Sequence, residues 1–280
     1  MSSDQSQTVK ACLGRKRLPR LETGLLLAHV LGQQREWLLA HDDHVLSSAQ
    51  VSEFFVLENR RCQGEPIAYL VGQREFMSHC FAVSPDVLIP RPDTELLVEM
   101  ALASIVNKVA PTVLDLGTGS GIIAISIAKA RPDAKVTATD SSARALMVAR
   151  TNAKRLNTAV QMVLGTWFDP IPAAPLFDLI VSNPPYIHPQ DPHLDQGDLR
   201  FEPRAALTDE HDGLSAYQSI IFEAAGRLKP GGELWVEHGF NQAEAIVQFL
   251  AQARFTQIKT SQDLAGHPRV SGGSYNSSNS

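Results

Sequence analysis

"TVLDLGTGSGIIAISIAKA", residues 112–130, reads as a short apolar strand, a glycine-rich turn and an apolar helix in immediate succession. The texture repeats downstream. "KVTATD" (135–140) is a second strand and "ARALMVARTNAKRL" (143–156) a second helix. "QMVLG" (161–165), "FDLIVSN" (177–183), "GELWVEHG" (232–239) and "FTQIKTSQ" (255–262) are further strands, with helical segments between most of them. Strands alternating with helices predict an α/β fold with a mostly parallel sheet and helices on both faces. Right-handed crossovers place the loops that follow the strands on one edge. Ligands of such open sheets bind there, near the switch in strand order.

Upstream of Pro90 the pattern differs. "RLETGLLLAHVLG" (20–32) sets Leu21, Leu25 and Ala28 at helical spacing and stops at Gly32. "SSAQVSEFFVLENRRC" (47–62) opens with Ser47 three residues before Gln50, a capping box, and carries Val51, Phe54 and Phe55 on one side. Residues 1–73 therefore form a small all-α domain, 74–89 a hairpin linker, 90–270 the α/β domain, and the polar "SGGSYNSSNS" (271–280) a disordered tail.

The chain has 280 residues, 44% of them hydrophobic, and a formal net charge of −5. That balance argues against bulk binding to nucleic-acid phosphates, which favours a basic surface. The cluster Arg15, Lys16, Arg17 and Arg20 reads as a solvated face. No apolar run is long enough to span a bilayer, and the N-terminus lacks the features of a signal peptide. Cys12, Cys62 and Cys80 form neither a disulfide framework nor a metal knuckle. A reducing cytoplasm, no membrane partner and no stable nucleic-acid partner are expected.

Asp115 ends the first strand of the α/β region, and Gly117, Thr118, Gly119, Ser120 and Gly121 form the turn. Ile122 stands where a dinucleotide fingerprint needs glycine, and the Gly-Lys-Ser/Thr of a P-loop is absent. The spacing favours an adenosine-type ligand of another kind. Asp140 ends the next strand; its carboxylate could accept both hydroxyls of a ribose or cap the following helix. Trp167 follows the third strand and could stack on a base or sit in the core. This combination resembles the class I (Rossmann-like) S-adenosylmethionine (AdoMet) methyltransferases. The resemblance implies that Asp115 and the loop from Gly117 to Gly121 contact the methionine portion of AdoMet, with Asp140 on the ribose, Trp167 near the adenine and S-adenosylhomocysteine as product.

"VSNPPYIHPQ" (181–190) follows the fourth strand, so Asn183, Pro184, Pro185 and Tyr186 open onto the same edge. In the methyltransferases it resembles, Asn-Pro-Pro-Tyr marks enzymes that methylate an NH2 on a conjugated group: adenine, guanine or a glutamine amide. Such a nitrogen is a poor nucleophile because its lone pair is delocalised. An Asn183 side-chain oxygen and a Pro184 carbonyl that each accept one N–H would steer the lone pair toward the methyl carbon. Tyr186 could pack on the planar group. No metal is required, and neither an HExxH pair nor a G-x-S-x-G elbow occurs. His188, His193 and His238 read as polar surface or loop residues.

"LIPRPDTELLVE" (88–99), "DLGTGSG", "VSNPPYI" and "DPHLDQGDLRFEP" (191–203) together are similar to the HemK/PrmC family. These are protein-(glutamine-N5) methyltransferases of bacterial class I peptide chain release factors. The resemblance implies methylation of the glutamine in the release factor's Gly-Gly-Gln motif by a monomer whose helical domain helps to dock that partner. It carries Asn183 over as an AdoMet contact and Asn183 to Tyr186 as the glutamine site. The polar loop from Ile187 to Gly213 is expected to wall or cover that site.

Overall fold

The computed structural model describes residues 7–173 and 176–276. Two compact units are found, one to Gln73 and one from Arg74. Among the described residues no helix is long and apolar enough to cross a membrane.

The first unit holds α1 (Val9–Leu13), α2 (Arg20–Leu31), α3 (Arg35–Ala40), α4 (Ser48–Cys62) and α5 (Ile67–Val71). Ser47 and Gln50 form the expected reciprocal capping box at the start of α4, and Gly32 ends α2 with φ +62°. The expected face of α2 is buried in part: Ala28 is buried and Leu25 half-buried. Leu21 is 54% exposed, whereas the adjacent Leu26 and Leu27 are fully buried. Both α4 and α5 pack on α2, so a wider stripe of it enters the core. Of the basic cluster, Lys16, Arg17 and Arg20 are exposed as expected, but two members also serve a buried acid. Arg15 forks onto Glu58 at 3.0 and 2.9 Å, and Arg17 reaches the same carboxylate at 3.1 Å. Glu58 is fully buried, so its charge demands partners and takes them from this cluster.

The second unit opens with a hairpin of β1 (Gln73–Phe76) and β2 (His79–Ala82), turning through Met77 and Ser78. Phe76 and Phe81 enter the unit's core, so the hairpin is a packed element and not a free linker. Asn152 secures it, accepting from the Ala82 N–H at 2.6 Å and donating to the Ala82 carbonyl at 2.9 Å. After α6 (Glu95–Ser104) come β3 (Thr112–Leu116), α7 (Ile122–Ala130), β4 (Lys135–Asp140), α8 (Ala143–Arg155), β5 (Val160–Leu164) and β6 (Phe177–Ser182). Then follow α9 (Ser215–Ala224), β7 (Leu228–Glu237), α10 (Ala243–Gln252), β8 (Phe255–Gln262) and β9 (Pro268–Tyr275).

The sheet order is β5-β4-β3-β6-β7-β9-β8. β3 to β7 pair in parallel, and β9 runs antiparallel between β7 and β8. Alternating residues feed two cores: Val113, Leu179 and Val181 face one, Leu114 and Ile180 the other. The order reverses between β3 and β6, and the loops after these two strands flank the crevice.

The disordered tail expected from residue 271 is corrected: residues 271–275 belong to β9, while 277–280 lie outside the described residues. The small polar residues misled because this strand earns burial through backbone pairing on both edges. A Cβ on Gly272 would lie 2.2 Å from the Leu234 carbonyl oxygen and 2.4 Å from the Trp235 ring. Only a bare backbone passes there. Gly272→Ala should therefore lower unfolding stability by about 3 kcal/mol, measurable by urea denaturation, because the opposing atom is main chain and cannot swing away.

Candidate active site

The turn after β3 takes positive φ at Gly117 (+71°), Gly119 (+56°) and Gly121 (+84°). Asp115 lies behind this turn, fully buried, and is not among the residues lining the cleft. It accepts from the Thr118 hydroxyl at 2.7 Å and the Ala124 N–H at 3.2 Å, splinting the loop to the start of α7. Burial pushes its carboxyl up to about 7, against the pull of those two hydrogen bonds and with a small push from Asp140. Gly121 is also set back from the cleft. A Cβ there would meet Ile125 Cδ1 at 2.8 Å and Ala149 Cβ at 3.1 Å, so this glycine lets α7 and α8 approach. Gly117, Thr118, Gly119 and Ser120 do line the cleft. The Ser120 carbonyl is held by Asn152 Nδ2 at 2.9 Å.

Asp140 also lines the cleft. Its two oxygens accept from the Gly119 and Ser142 N–H groups, each at 2.8 Å. The capping role belongs to Ser142, whose hydroxyl accepts from Ala145 N at 3.1 Å. A carboxylate offers about four lone-pair positions, so about two remain for a vicinal diol. Burial raises the Asp140 pKa, and the two N–H bonds oppose that rise. Trp167 is held at φ +43° with its carbonyl accepting from Thr139 Oγ1 at 3.0 Å. Its ring comes within 3.1 Å of where a Gly117 Cβ would be, so it forms the cleft wall against the bare loop.

Past β6, Asn183 and Pro185 line the cleft; Pro184 is buried beside them, and Tyr186 packs into the second core. The Tyr186 carbonyl accepts from Gln242 Nε2 at 3.0 Å, and burial raises its phenol pKa well above the ordinary value. This tyrosine anchors the turn from behind. Asn183 Nδ2 donates to Thr94 Oγ1 at 3.3 Å, leaving Oδ1 for the cleft. Beside them Glu237, 1% exposed, ends β7. Burial pushes its carboxyl up to about 7; hydrogen bonds from Thr94 and Asn183 and the charge of Arg269 oppose this, and Asp93 adds to it.

The loop 187–213 does form a wall, since Pro203, Ala205 and Ala206 line the cleft. It is clamped by Glu202, which accepts from the Ile89 N–H at 2.9 Å and from the Arg91 guanidinium. Its far end is gathered by Asp209, which takes Gly213 N at 3.0 Å and Ser215 Oγ at 2.6 Å. The three histidines do not line the cleft. His188 and His193 are exposed, but His238 is fully buried between the Gly239 carbonyl and Ser271 Oγ, and burial lowers its pKa. Thr94 and Glu202 lie inside the stretches 88–99 and 191–203 that carry the family resemblance, without a role assigned to either. Glu237 and Asn152 escape a reading of motifs, because burial of a polar side chain leaves no local pattern. Among the described residues no group of three acidic, histidine or cysteine side chains could hold a metal ion.

The linkage of Asp115 has a definite sign. Its folded pKa lies above its ordinary 3.8, so between about 4 and 7 the folded state holds more protons and this group's contribution to stability falls as pH rises. Asp115→Asn removes that dependence. Relative to the unsubstituted protein, the variant should gain up to about 1.4 kcal/mol per pH unit across this window, read by urea unfolding at several pH values.

An extended cleft bounded by bare glycine backbone, a half-satisfied carboxylate and an indole suits an adenosine-bearing ligand, and it opens beside Asn183. Residues 92–198 match the Methyltransferase small domain, and residues 6–72 match the PrmC N-terminal domain. The release factor glutamine methyltransferase of Bordetella pertussis is 56% identical over 265 residues, covering 95% of this chain and 98% of that one. That of Burkholderia pseudomallei is 48% identical, covering 91% and 92%. Among solved structures, a Pyrococcus furiosus methyltransferase superposes with a TM-score of 0.55 at 19% identity, covering 82% of this chain and 100% of that one. A T. thermophilus 16S rRNA N2 G1207 methyltransferase, solved with AdoMet and guanosine, gives 0.54 at 19%, covering 73% and 50%. Those two share the fold. The near full-length identity to the Bordetella and Burkholderia proteins, together with both domain matches, goes further: the chain belongs to the release factor glutamine methyltransferase family.

Proposed function

We propose that this enzyme transfers the methyl group of AdoMet to the side-chain amide nitrogen of the glutamine in the Gly-Gly-Gln motif of class I peptide chain release factors. The observation that carries the reading is the placement of Asn183 on the same cleft as Asp140 and the glycine loop, with its Nδ2 engaged by Thr94. AdoMet, when bound, supplies an electrophilic methyl carbon on a sulfonium. Asp140 would hold the ribose hydroxyls, the turn from Gly117 to Ser120 the methionine portion and Trp167 the adenine.

The rest is work for the protein's own groups. A carboxamide nitrogen is too weak an acid for a side-chain base to deprotonate in advance, so orientation must serve instead. Asn183 Oδ1 and the Pro184 carbonyl each accept one N–H of the glutamine, which turns the nitrogen lone pair toward the cofactor side of the cleft. The two prolines hold that carbonyl in place, and Tyr186, pinned through Gln242, backs the turn. The nitrogen sheds a proton to water once it carries positive charge. The loop clamped by Glu202 walls the cleft with Pro203, Ala205 and Ala206. Cys62 and Cys80 are exposed and not joined in a disulfide, which suits a reducing cytoplasm, where the enzyme acts as a monomer on its protein substrate.

Incubation with AdoMet and unmethylated release factor should add one methyl to the Gly-Gly-Gln glutamine, located by tandem mass spectrometry. Transfer to a nucleobase in a parallel RNA or DNA reaction, with the release factor untouched, would overturn this reading. Asn183→Ala should keep AdoMet affinity within about threefold by calorimetry and lose about 100-fold or more in kcat, the scale of removing one preorganised acceptor.

A further inference from the structure

The Asn183 side chain has two nearly isosteric ends of opposite character: Oδ1 accepts and Nδ2 donates. Only the oxygen can receive an N–H from a substrate amide. Turned over, the side chain would present N–H to N–H, and its shape would resist neither state. Its hydrogen-bond partners must choose.

Those partners form a chain of fixed polarity. Glu237 ends β7 one step beyond the Ser182–Val236 pair of β6 and β7, which puts it beside Asn183. It is 1% exposed, its Oε2 has no hydrogen-bond partner, and in its ionised form, above about pH 7, it can only accept. Thr94, also 1% exposed, precedes α6 at its N-cap position, and its hydroxyl lies near enough to this carboxylate to favour the charged form. A hydroxyl has one proton. Once that proton is given to Glu237, Thr94 Oγ1 faces Asn183 with lone pairs alone, and it accepts Nδ2–H at 3.3 Å. The amide nitrogen is drawn inward and Oδ1 is left to the cleft.

We infer that Thr94 and Glu237 are positioning residues: they set which end of the Asn183 amide meets the substrate nitrogen. This rests on the acceptor role given to Asn183 above. It gives the buried carboxylate a task that an apolar residue could not perform, since no apolar side chain would impose a direction on the Thr94 hydroxyl.

The test uses the full-length enzyme with unmethylated release factor and compares Thr94→Val, Thr94→Ser, Glu237→Gln and Asn183→Ala. Calorimetry follows AdoMet affinity, steady-state kinetics separate kcat from KM, and 15N-asparagine labelling follows exchange of the Asn183 side-chain amide protons. Thr94→Val keeps the shape and loses the hydroxyl. It should lower kcat about tenfold, with AdoMet affinity unchanged, and should speed exchange of the Asn183 amide protons. Thr94→Ser should restore kcat to within about twofold. Glu237→Gln can donate to Thr94 and reverse the chain, so its kcat should fall comparably.

Wild-type kcat and slow amide exchange in both Thr94→Val and Glu237→Gln, with Asn183→Ala inactive, would overturn the inference and leave the acceptor role standing. Equal loss in Thr94→Val and Thr94→Ser, or loss of AdoMet affinity in both, would show a structural role and overturn it too. Full turnover by Asn183→Ala would instead remove the acceptor reading on which it rests.

Discussion

Ser182 donates its hydroxyl to the Leu116 carbonyl at 2.8 Å, where β3 and β6 run out side by side. The two strands are parallel neighbours in space although β4 and β5 separate them in the chain, and Leu116 pairs with Ser182 in the register. The whole site depends on that adjacency. The turn that begins at Gly117 and the turn that begins at Asn183 each leave the sheet one residue beyond this pair, on one edge. A shift by one residue would turn Ser182 and everything after it to the opposite face. The glycine turn and the Asn183 turn would then no longer share a cleft.

Around that edge the protein concentrates buried and half-buried carboxylates, each held in a different way. Behind the cleft, Asp115 Oδ2 accepts from Thr118 and Ala124, while its Oδ1 has no hydrogen-bond partner. Asp140 takes two backbone N–H groups and keeps acceptor capacity toward the cleft. Glu237 lies among Thr94, Asn183 and Arg269, which favour its charged form, and its Oε2 has no hydrogen-bond partner. Burying such groups is costly unless they are hydrogen-bonded. All three lie at or next to the carboxyl ends of their strands, β3, β4 and β7. Glu202 repeats the strategy on the wall loop, where the Ile89 N–H and Arg91 answer its charge.

Much of this architecture was legible in order along the chain. Alternating apolar strands and helices gave away the parallel sheet, and the glycine spacing with Asp140 and Asn-Pro-Pro-Tyr named a cleft and its edge. Assignments went astray wherever a side chain's surroundings come from distant segments. Asp115 and Gly121 belong to the same motif as Gly117 and Gly119 yet face away from the cleft, because the turn of the backbone divides them. Tyr186 turned inward to the core, and His238 became a buried structural residue against Ser271. The last strand was missed because its glycines and serines carry no hydrophobic period. Its burial comes from lying between β7 and β8.

Local chemistry by itself determined the elements, the capping box at Ser47, the conformational need for glycine after β3 and the residue types able to hold an adenosine and an amide. These follow from backbone sterics, periodicity and donor–acceptor inventory, which act over a few neighbouring residues. Tertiary structure alone decided which end of Asn183 faces the cleft, because Thr94 and Glu237 lie 89 and 54 positions away from it in the chain. Hydrogen-bond polarity is a property of partners in space. Only folding brings those three side chains together, and only then does an ambiguous amide acquire a direction.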